Sequence, residues 1–199
     1  VMLEEWNRPV KSRQAPPPPK QLSPSHDINK VAELLVNSDY PVISTGAAGY
    51  EPEGFNGLLA LAETLAIPVV ESDTPSFANF PKDNPLHQGF SIQPHLMKAD
   101  LVLVVRNKAP WYPPGNCPEK AKIVVLDENP FKTHMVYQNL QADIYLEGDV
   151  VASLESLVKA VQELGFDQKE VDRRGKHWSA EFNKSKKECG ALENKAKSS

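Results

Sequence analysis

The sequence lacks several features that would point to particular classes of protein. Its only cysteines, Cys117 and Cys189, lie far apart, so neither a disulfide scaffold nor a cysteine metal site is predicted. No apolar run approaches the roughly 20 residues that a membrane-spanning helix needs. The net charge of -4 provides no basic field for nucleic acid. We therefore expect a reduced, cytoplasmic protein with no membrane or nucleic-acid partner.

The motifs of complete active sites are also missing. The sequence holds no H-E-x-x-H zinc motif, no P-loop, no nucleophile elbow and no paired cysteines. The five histidines are scattered, and we expect most of them at the surface or in loops. His87 is the one that could line a cleft, with packing inside its own loop as the alternative. The residues alone indicate a binding or scaffold domain.

The two ends of the chain differ in composition from its middle. Four consecutive prolines at 16–19 predict extended polyproline II, which is either a stiff linker or a docking motif. From 166 onward the chain is polar and lysine-rich. This composition is compatible with two interpretations, a last helix and a mobile tail. Its cationic side chains are predicted to be solvated. We divide the chain into a linker (1–24), one domain (25–165) and a C-terminal segment (166–199).

The predicted domain is organised around one buried strand and the turn that follows it. Val42 and Ile43 are β-branched, and the run then ends in small residues between Gly46 and Gly49. An amphipathic helix, capped by Ser25 or Asp27, precedes this strand, and a second helix follows it. Alternation of strands and helices predicts an α/β fold with a parallel sheet.

Four further strands are predicted from apolar runs at 67–70, 100–105, 122–126 and 143–146. The run at 100–105 is continuously apolar, as central parallel strands are. A short helix is expected within 91–99. A longer helix at 150–164 is expected to begin at Gly148 and Asp149.

Small and polar residues follow the carboxyl ends of these strands, which share one edge in a parallel sheet. Glycines allow a phosphate to approach closely, a cation pairs with it, and an acid accepts from ribose hydroxyls. A nucleotide cleft is one interpretation; turns and helix caps are the other, because TGAAG is not a full G-x-G-x-x-G. The residues concerned are Gly46, Gly49, Glu71 to Thr74, Arg106, Asn107, Asp127 to Asn129, Gly148 and Asp149.

An ordered series of motifs covers about residues 25 to 160. It comprises YPVI at 40–43, LAETLAIPV at 61–69, DNPLHQG at 83–89, ADLVL at 99–103 and IVVLD at 123–127. The series resembles the central domain of thiamine diphosphate-dependent enzymes of the acetolactate synthase, benzoylformate decarboxylase and oxalyl-CoA decarboxylase group.

The resemblance implies a doubly wound, mostly parallel, Rossmann-like sheet of about six strands with helices on both faces. It also implies that the chain is the excised central domain of a homo-oligomeric parent enzyme acting on 2-keto acids. In such parents, thiamine diphosphate and Mg²⁺ lie between the two flanking domains. Those domains supply the activating Glu and the Gly-Asp-Gly motif. Because neither a Gly-Asp-Gly motif nor the flanking domains occur here, we expect no catalysis by this chain alone.

The resemblance also implies an auxiliary nucleotide site, because this domain carries FAD in acetolactate synthases and an ADP-type ligand in oxalyl-CoA decarboxylase relatives. In other members the cleft is empty. In place of the usual Gly-Ala-Arg stretch this chain has Arg106-Asn107-Lys108, so Arg106 either contacts phosphate or fills the cleft. The candidate cofactor-binding residues are Gly46, Ala47, Ala48, Ser72, Asp73, His87, Gly89, Arg106, Asn107, Asp127, Glu128 and Asp149.

Two further functions are compatible with the sequence. A free-standing FAD- or NAD-binding module of similar topology would bind nucleotide tightly without flanking domains. A purely structural or interaction domain would bind no ligand and would expose an apolar patch.

Overall fold

Five parallel strands form the sheet of the computed structural model, which describes residues 19–73, 75–132 and 141–197. The strand order is β2-β1-β3-β4-β5. Most of the predicted linker, Thr74 and residues 133–140 lie outside the described residues. The strands are β1 (Pro41–Thr45), β2 (Val69–Glu71), β3 (Leu101–Val105), β4 (Lys122–Asp127) and β5 (Ile144–Glu147).

The helices connect these strands and follow the last one. They are α1 (Ser25–Asn37), α2 (Pro52–Leu65), α3 (Gln93–Leu96), α4 (Val150–Leu164) and α5 (Gln168–Lys197). Short 3₁₀ helices cover Ala48–Tyr50 and Pro114–Asn116. The predicted α/β class with a parallel sheet is confirmed, with five strands among the described residues where about six were expected. The short helix expected within 91–99 covers only four residues.

The sheet separates two apolar layers, and β3 contributes to both. Leu103 and Val105 face the layer built with α1, α2, α4 and the start of α5. Val102 and Val104 face the second layer, which contains Trp111 and the residues around α3. All five residues of β3 are buried, which explains why the strand is continuously apolar. Helices therefore lie on both faces of the sheet, but one face carries most of them.

The beginning of α1 differs from the prediction. Pro24 occupies the N-cap position, and no side chain caps the helix. The backbone N–H groups of Asp27 and Ile28 donate to the Pro24 carbonyl. Ser25 and Asp27 lie inside the first turn, so neither can act as the cap. At that position Asp27 still favours the helix through its charge near the positive end of the helix dipole.

The C-terminal segment is helical from Gln168 to Lys197. Its first turns pack on the domain, because Val171 and Trp178 belong to the main apolar layer. Beyond residue 183 most of its described side chains are exposed. The boundary proposed at 166 stays a prediction. Among the described residues no helix combines the length and the apolar character that crossing a membrane requires.

We predict that Gly49→Ala destabilises the fold by roughly 1 to 3 kcal/mol, because a Cβ at this position would lie 1.8 Å from the Ala78 carbonyl oxygen. Urea unfolding of both proteins measures the difference. Gly190→Ala in α5 is the matched control, since its Cβ would meet nothing within 4 Å. That control should gain about 0.5 to 1 kcal/mol from helix propensity. Equal stability of Gly49→Ala and the original chain would contradict the close packing of this turn.

Candidate functional site

The carboxyl ends of the strands meet at one edge of the sheet. Thr45, at the end of β1, lies in register with Glu71 of β2 and Val105 of β3. The chain leaves β1 towards β2 on one side and crosses to β3 on the other, so the topological switch point lies between β1 and β3. Ligands of open α/β sheets bind in the crevice at such a point.

Direct contacts close the crevice between β1 and β3. A Cβ on Gly46 would lie 3.0 Å from the Arg106 carbonyl oxygen, a tight contact that would require the neighbouring turn to shift by a few tenths of an ångström. The side-chain amide of Asn107 donates to Ser44 Oγ at 2.9 Å, and Asn107 is buried. Ala48 is fully buried as well. Gly46, Arg106 and Asn107 thus lie together at this edge, as expected, and the space between them is taken up by their own contacts.

The Arg106 side chain fills the crevice next to the contact between the turns that follow β1 and β3. Its Nε donates to Glu128 at 2.9 Å, and its Nη2 donates to Glu51 at 3.0 Å. The guanidinium carbon also lies 5.7 Å from the centre of the Tyr50 ring. The backbone of Arg106 has a φ of 42°, a left-handed conformation that a side chain with a Cβ adopts only when its surroundings hold it there.

The charge of Glu128 is stabilised by this arrangement. Burial raises the pKa of the Glu128 carboxyl, but the hydrogen bonds and charge of Arg106, together with backbone N–H groups, lower it more, so the pKa lies below its usual range. Glu128 also accepts from the backbone N–H of Val150 at the start of α4, at 3.3 Å. Arg106 therefore joins the turns that follow β1, β3 and β4. Its contacts with Glu51 and Glu128 are those expected of a side chain that fills the cleft, and a phosphate contact stays a prediction.

Two of the acidic candidates at the strand ends, Asp127 and Asp149, have partners inside the chain. Asp127 accepts from the backbone N–H of Asn129 at 2.8 Å and pairs with the buried Lys132. Asp149 accepts from the Ala152 backbone N–H at 2.9 Å, so it caps α4 as predicted, and it pairs with Lys20. Both carboxylates thus perform the turn and cap roles that were the alternative interpretation.

A buried carboxylate organises the long loop after β2. The Glu71 side chain has no exposed surface, and its charge is paired with Lys82. The amide of Asn79 donates to Glu71 at 3.1 Å, and His87 Nε2 lies 3.1 Å away. The Glu71 backbone N–H donates to the carbonyl of Gly89. Glu71 therefore holds this loop at four positions: Asn79, Lys82, His87 and Gly89.

His87 belongs to this network. Burial and the nearby Lys82 lower the pKa of His87 to about 4, so the imidazole is neutral at pH 7, and its Nε2–H donates a hydrogen bond to the Glu71 carboxylate. The ring packs edge-on against Phe90, 5.3 Å between centres. The loop-packing interpretation of His87 therefore matches its contacts. Asn79 and Lys82 were missed, because nothing in an irregular loop predicts which polar residues turn towards a buried acid.

A cavity of about 480 Å³ lies beside this network at the same edge of the sheet. Ser72 and Asp73 line it on the side of β2, and Phe90, Trp111 and Tyr112 contribute aromatic rings. Ser72 is held by its backbone N–H, which donates to the Thr45 carbonyl at 2.8 Å. Among the described residues, no group of His, Cys, Asp and Glu side chains has the arrangement of a metal site.

Comparison with known proteins identifies the family of this domain. The model of the family described as thiamine pyrophosphate enzyme, central domain, matches residues 28–157. The chain belongs to this family. One curated relative, named "Probable acetolactate synthase large subunit", comes from Methanocaldococcus jannaschii. It is 29% identical over 183 residues, which cover 86% of this chain and 30% of the relative.

Solved structures show the same fold. The benzoylformate decarboxylase of Polynucleobacter necessarius superposes with a TM-score of 0.59 at 20% identity over 78% of this chain and 31% of its own. A thiamine diphosphate-dependent 4-hydroxybenzoylformate decarboxylase of Rhodococcus jostii has a TM-score of 0.59, at 23% identity over 78% of this chain and 29% of its own. The chain thus spans about 30% of the length of these relatives.

His95 in this central domain is buried, so it is an exception to the expectation that most of the histidines lie at the surface or in loops. Its Nδ1 lies 3.2 Å from the Tyr40 hydroxyl, and its ring packs near Trp178 of α5. The aromatic rings of Tyr40 and Trp178, far apart in sequence, bury this histidine. Sequence spacing offers no signal for such a contact.

We predict that Glu71→Ala lowers the free energy of unfolding by about 3 to 5 kcal/mol, because it leaves Lys82, Asn79 and His87 without their buried acceptor. Thermal or urea unfolding measures the loss. The matched control is Glu63→Ala. Glu63 also binds this loop, accepting from Asn84 at 2.9 Å, but it is exposed, so its loss should cost less than about 1 kcal/mol. Equal effects of the two variants would show that Glu71 does not anchor the loop.

We also predict that acidification weakens the fold through His95. Burial, with the charges of Lys98 and His177, lowers the pKa of His95 to about 4 from 6.5. The native state therefore binds fewer protons than the unfolded chain between these values. The contribution of neutral His95 to the free energy of unfolding is therefore fully present above pH 6.5. It is lost as the pH falls towards 4, by up to about 3 kcal/mol.

Urea unfolding at several pH values tests this prediction. In His95→Gln the position cannot be protonated, so stability should fall less steeply between pH 7 and pH 4 than in the original chain. His26→Gln, at an exposed position, is the control and should keep the original pH dependence. An unchanged pH dependence in His95→Gln would refute the prediction.

Proposed function

We propose that this chain is the central domain of a larger thiamine diphosphate-dependent carboligase or decarboxylase that acts on 2-keto acids. Its role there is structural. The observation that carries this proposal is the crevice at the switch point. Arg106 fills it and is held there by ion pairs with Glu51 and Glu128. The family match over 28–157 and the coverage of about 30% of each relative support it further.

Thiamine diphosphate would supply the chemistry of the parent enzyme. The residues of this chain do not fit that cofactor. The sequence contains no Gly-Asp-Gly, and in Gly148-Asp149-Val150 the aspartate is already used to cap α4. We therefore derive no catalytic step for this chain and assign the cofactor to flanking domains.

The proposed role includes contact with those flanking domains or with other subunits of an oligomer. Large aromatic side chains on the loops that follow β1, β2, β3 and β4 remain exposed, as an interaction domain requires. They are Tyr50, Phe77, Phe90, Tyr112 and Phe131. Tyr50 and Phe77 also pack edge-on against each other, 5.3 Å between ring centres, so two of these loops present one joint surface.

Auxiliary binding of FAD or ADP is the second candidate function. It is favoured by the cavity of about 480 Å³, in which aromatic rings lie beside Ser72 and Asp73. The crevice argues against it, because a pyrophosphate there would have to displace Arg106 from two carboxylates and would then face their negative charge. The structural role is therefore the function that the geometry supports best.

The full reading frame around this chain tests the leading proposal. Thiamine-type domains on both sides, with consumption of a 2-keto acid that depends on thiamine diphosphate and Mg²⁺, are expected. A reading frame with no such domain on either side would refute the proposal.

A titration of this chain with FAD and ADP distinguishes the two candidate functions. We predict no saturable binding up to about 1 mM, because Arg106 is already engaged by Glu51 and Glu128. Calorimetry, with absorbance for FAD, measures this. If the chain binds, and Arg106→Ala loses the binding while Lys108→Ala keeps it, Arg106 is a phosphate ligand and the structural proposal is wrong. Lys108 is the matched control because it is an exposed cation two residues away.

A further inference from the structure

A second cavity lies at the opposite edge of the sheet, where β1 and β3 begin. Its volume is about 240 Å³, which suits a small molecule rather than a dinucleotide. Residues at the start of β1, a lysine that precedes β3, and one face of α5 form it. They are Asp39, Tyr40, Pro41, Lys98, Arg173, Arg174, His177 and Trp178.

Arg174 is the most unusual residue of this cavity. It is only 5% exposed, yet among the described residues no acceptor lies within hydrogen-bond distance of its Nε or Nη1. Glu170 Oε1 comes within 3.7 Å of Nε, but this carboxylate already accepts from Arg173 Nε at 2.8 Å. A buried guanidinium with free donors is costly unless something else satisfies it.

Asp100, a half-buried acid whose charge also acts on Arg174, accepts its hydrogen bonds from other groups. Asp100 accepts from the backbone N–H of Asp39 at 2.7 Å, from that of Tyr40 at 3.0 Å, and from the Ser38 hydroxyl. Its oxygens therefore hold the chain where it enters β1. Burial lowers the pKa of Arg174 more than the neighbouring acids raise it, so its charge is only partly compensated.

A second free donor lies in the same cavity wall. Trp178 is 4% exposed, and its indole Nε1 has no hydrogen-bond partner among the described residues. Its ring is fixed edge-on against Tyr40, 5.4 Å between centres. The wall thus combines two buried, unpartnered donor groups with an aromatic surface.

The charges of the wall favour an anion. Lys98 and Arg173 add positive charge. Of the described residues that line the cavity, Asp39 alone carries a negative charge, and it is exposed to solvent. Solvent screens an exposed charge far more than a buried one.

We propose that this cavity binds a small oxyanion, a carboxylate or a phosphate group, that accepts hydrogen bonds from the guanidinium of Arg174 and the indole of Trp178. Both groups are donors only, and an anionic oxygen is the acceptor that bonds most strongly to a guanidinium. The site lies at the amino edge of the sheet, away from the crevice of Arg106. It is independent of the structural role proposed above.

The test uses the full chain and two probes, inorganic phosphate and malonate. Calorimetry measures affinity, and the fluorescence of the chain provides a second readout because Trp178 would contact the bound anion. Saturable binding of one or both probes is expected. Phosphate preference would identify a phosphate ligand, and malonate preference would identify a carboxylic acid.

Two variants and a control locate the binding. Arg174→Met, which keeps the length of the side chain, should weaken binding at least tenfold. Trp178→Phe, which keeps an aromatic ring but removes the donor, should weaken it several-fold and serves as the test if Arg174→Met fails to fold. Lys159→Met in α4 removes one exposed charge and should bind as the original chain does. Absence of saturable binding up to about 10 mM, or unchanged affinity in both cavity variants, would overturn the proposal.

Discussion

The pairing of Arg106 with Glu51 and Glu128 is the interaction on which the carboxyl edge of the sheet depends. A parallel sheet brings the ends of all its strands to one edge, and with them the charged residues of several turns. Glu51 precedes α2, and Glu128 follows β4, so one guanidinium connects segments on both sides of the switch point. Without it, two carboxylates would face each other across a partly buried crevice.

At the same edge, Glu71 is the common partner of a second group of side-chain contacts. The described residues between β2 and α3 form no helix or strand, yet Glu71 fixes this segment at Asn79, Lys82 and His87. Because a buried carboxylate is stable only when its charge is neutralised and its oxygens are bonded, the loop must bring these donors to it. The loop therefore adopts a defined path past the β1 turn, where Asn79 also donates to the Gly46 carbonyl at 3.2 Å.

The apolar parts of the fold could be predicted from the sequence, and the polar connections could not. The strand at 101–105 and the helix at 150–164 were predicted almost to the residue, because burial requires an uninterrupted or periodic apolar pattern. The cap by Asp149 followed from its position before a helix. Arg174 and His95 gave no such signal, since a polar residue is buried only by distant partners such as Tyr40.

The candidate site was predicted in part for the same reason. Topology brings Gly46, Arg106 and Glu128 to one edge, as expected from strand ends alone. Whether these residues contact a ligand or one another depends on side-chain geometry, and here Asn107, Asp127 and Asp149 bond within the chain. Residue type at a strand end is therefore compatible with both a nucleotide cleft and a closed one.

The most direct test of a closed crevice is the nuclear magnetic resonance signal of the Arg106 Nε–H group. In a closed crevice this proton is bound to Glu128, so it should exchange slowly with water and should not shift when ADP is added. Fast exchange, or a shift that saturates with ADP, would show that the guanidinium is free to bind phosphate and would contradict a closed crevice.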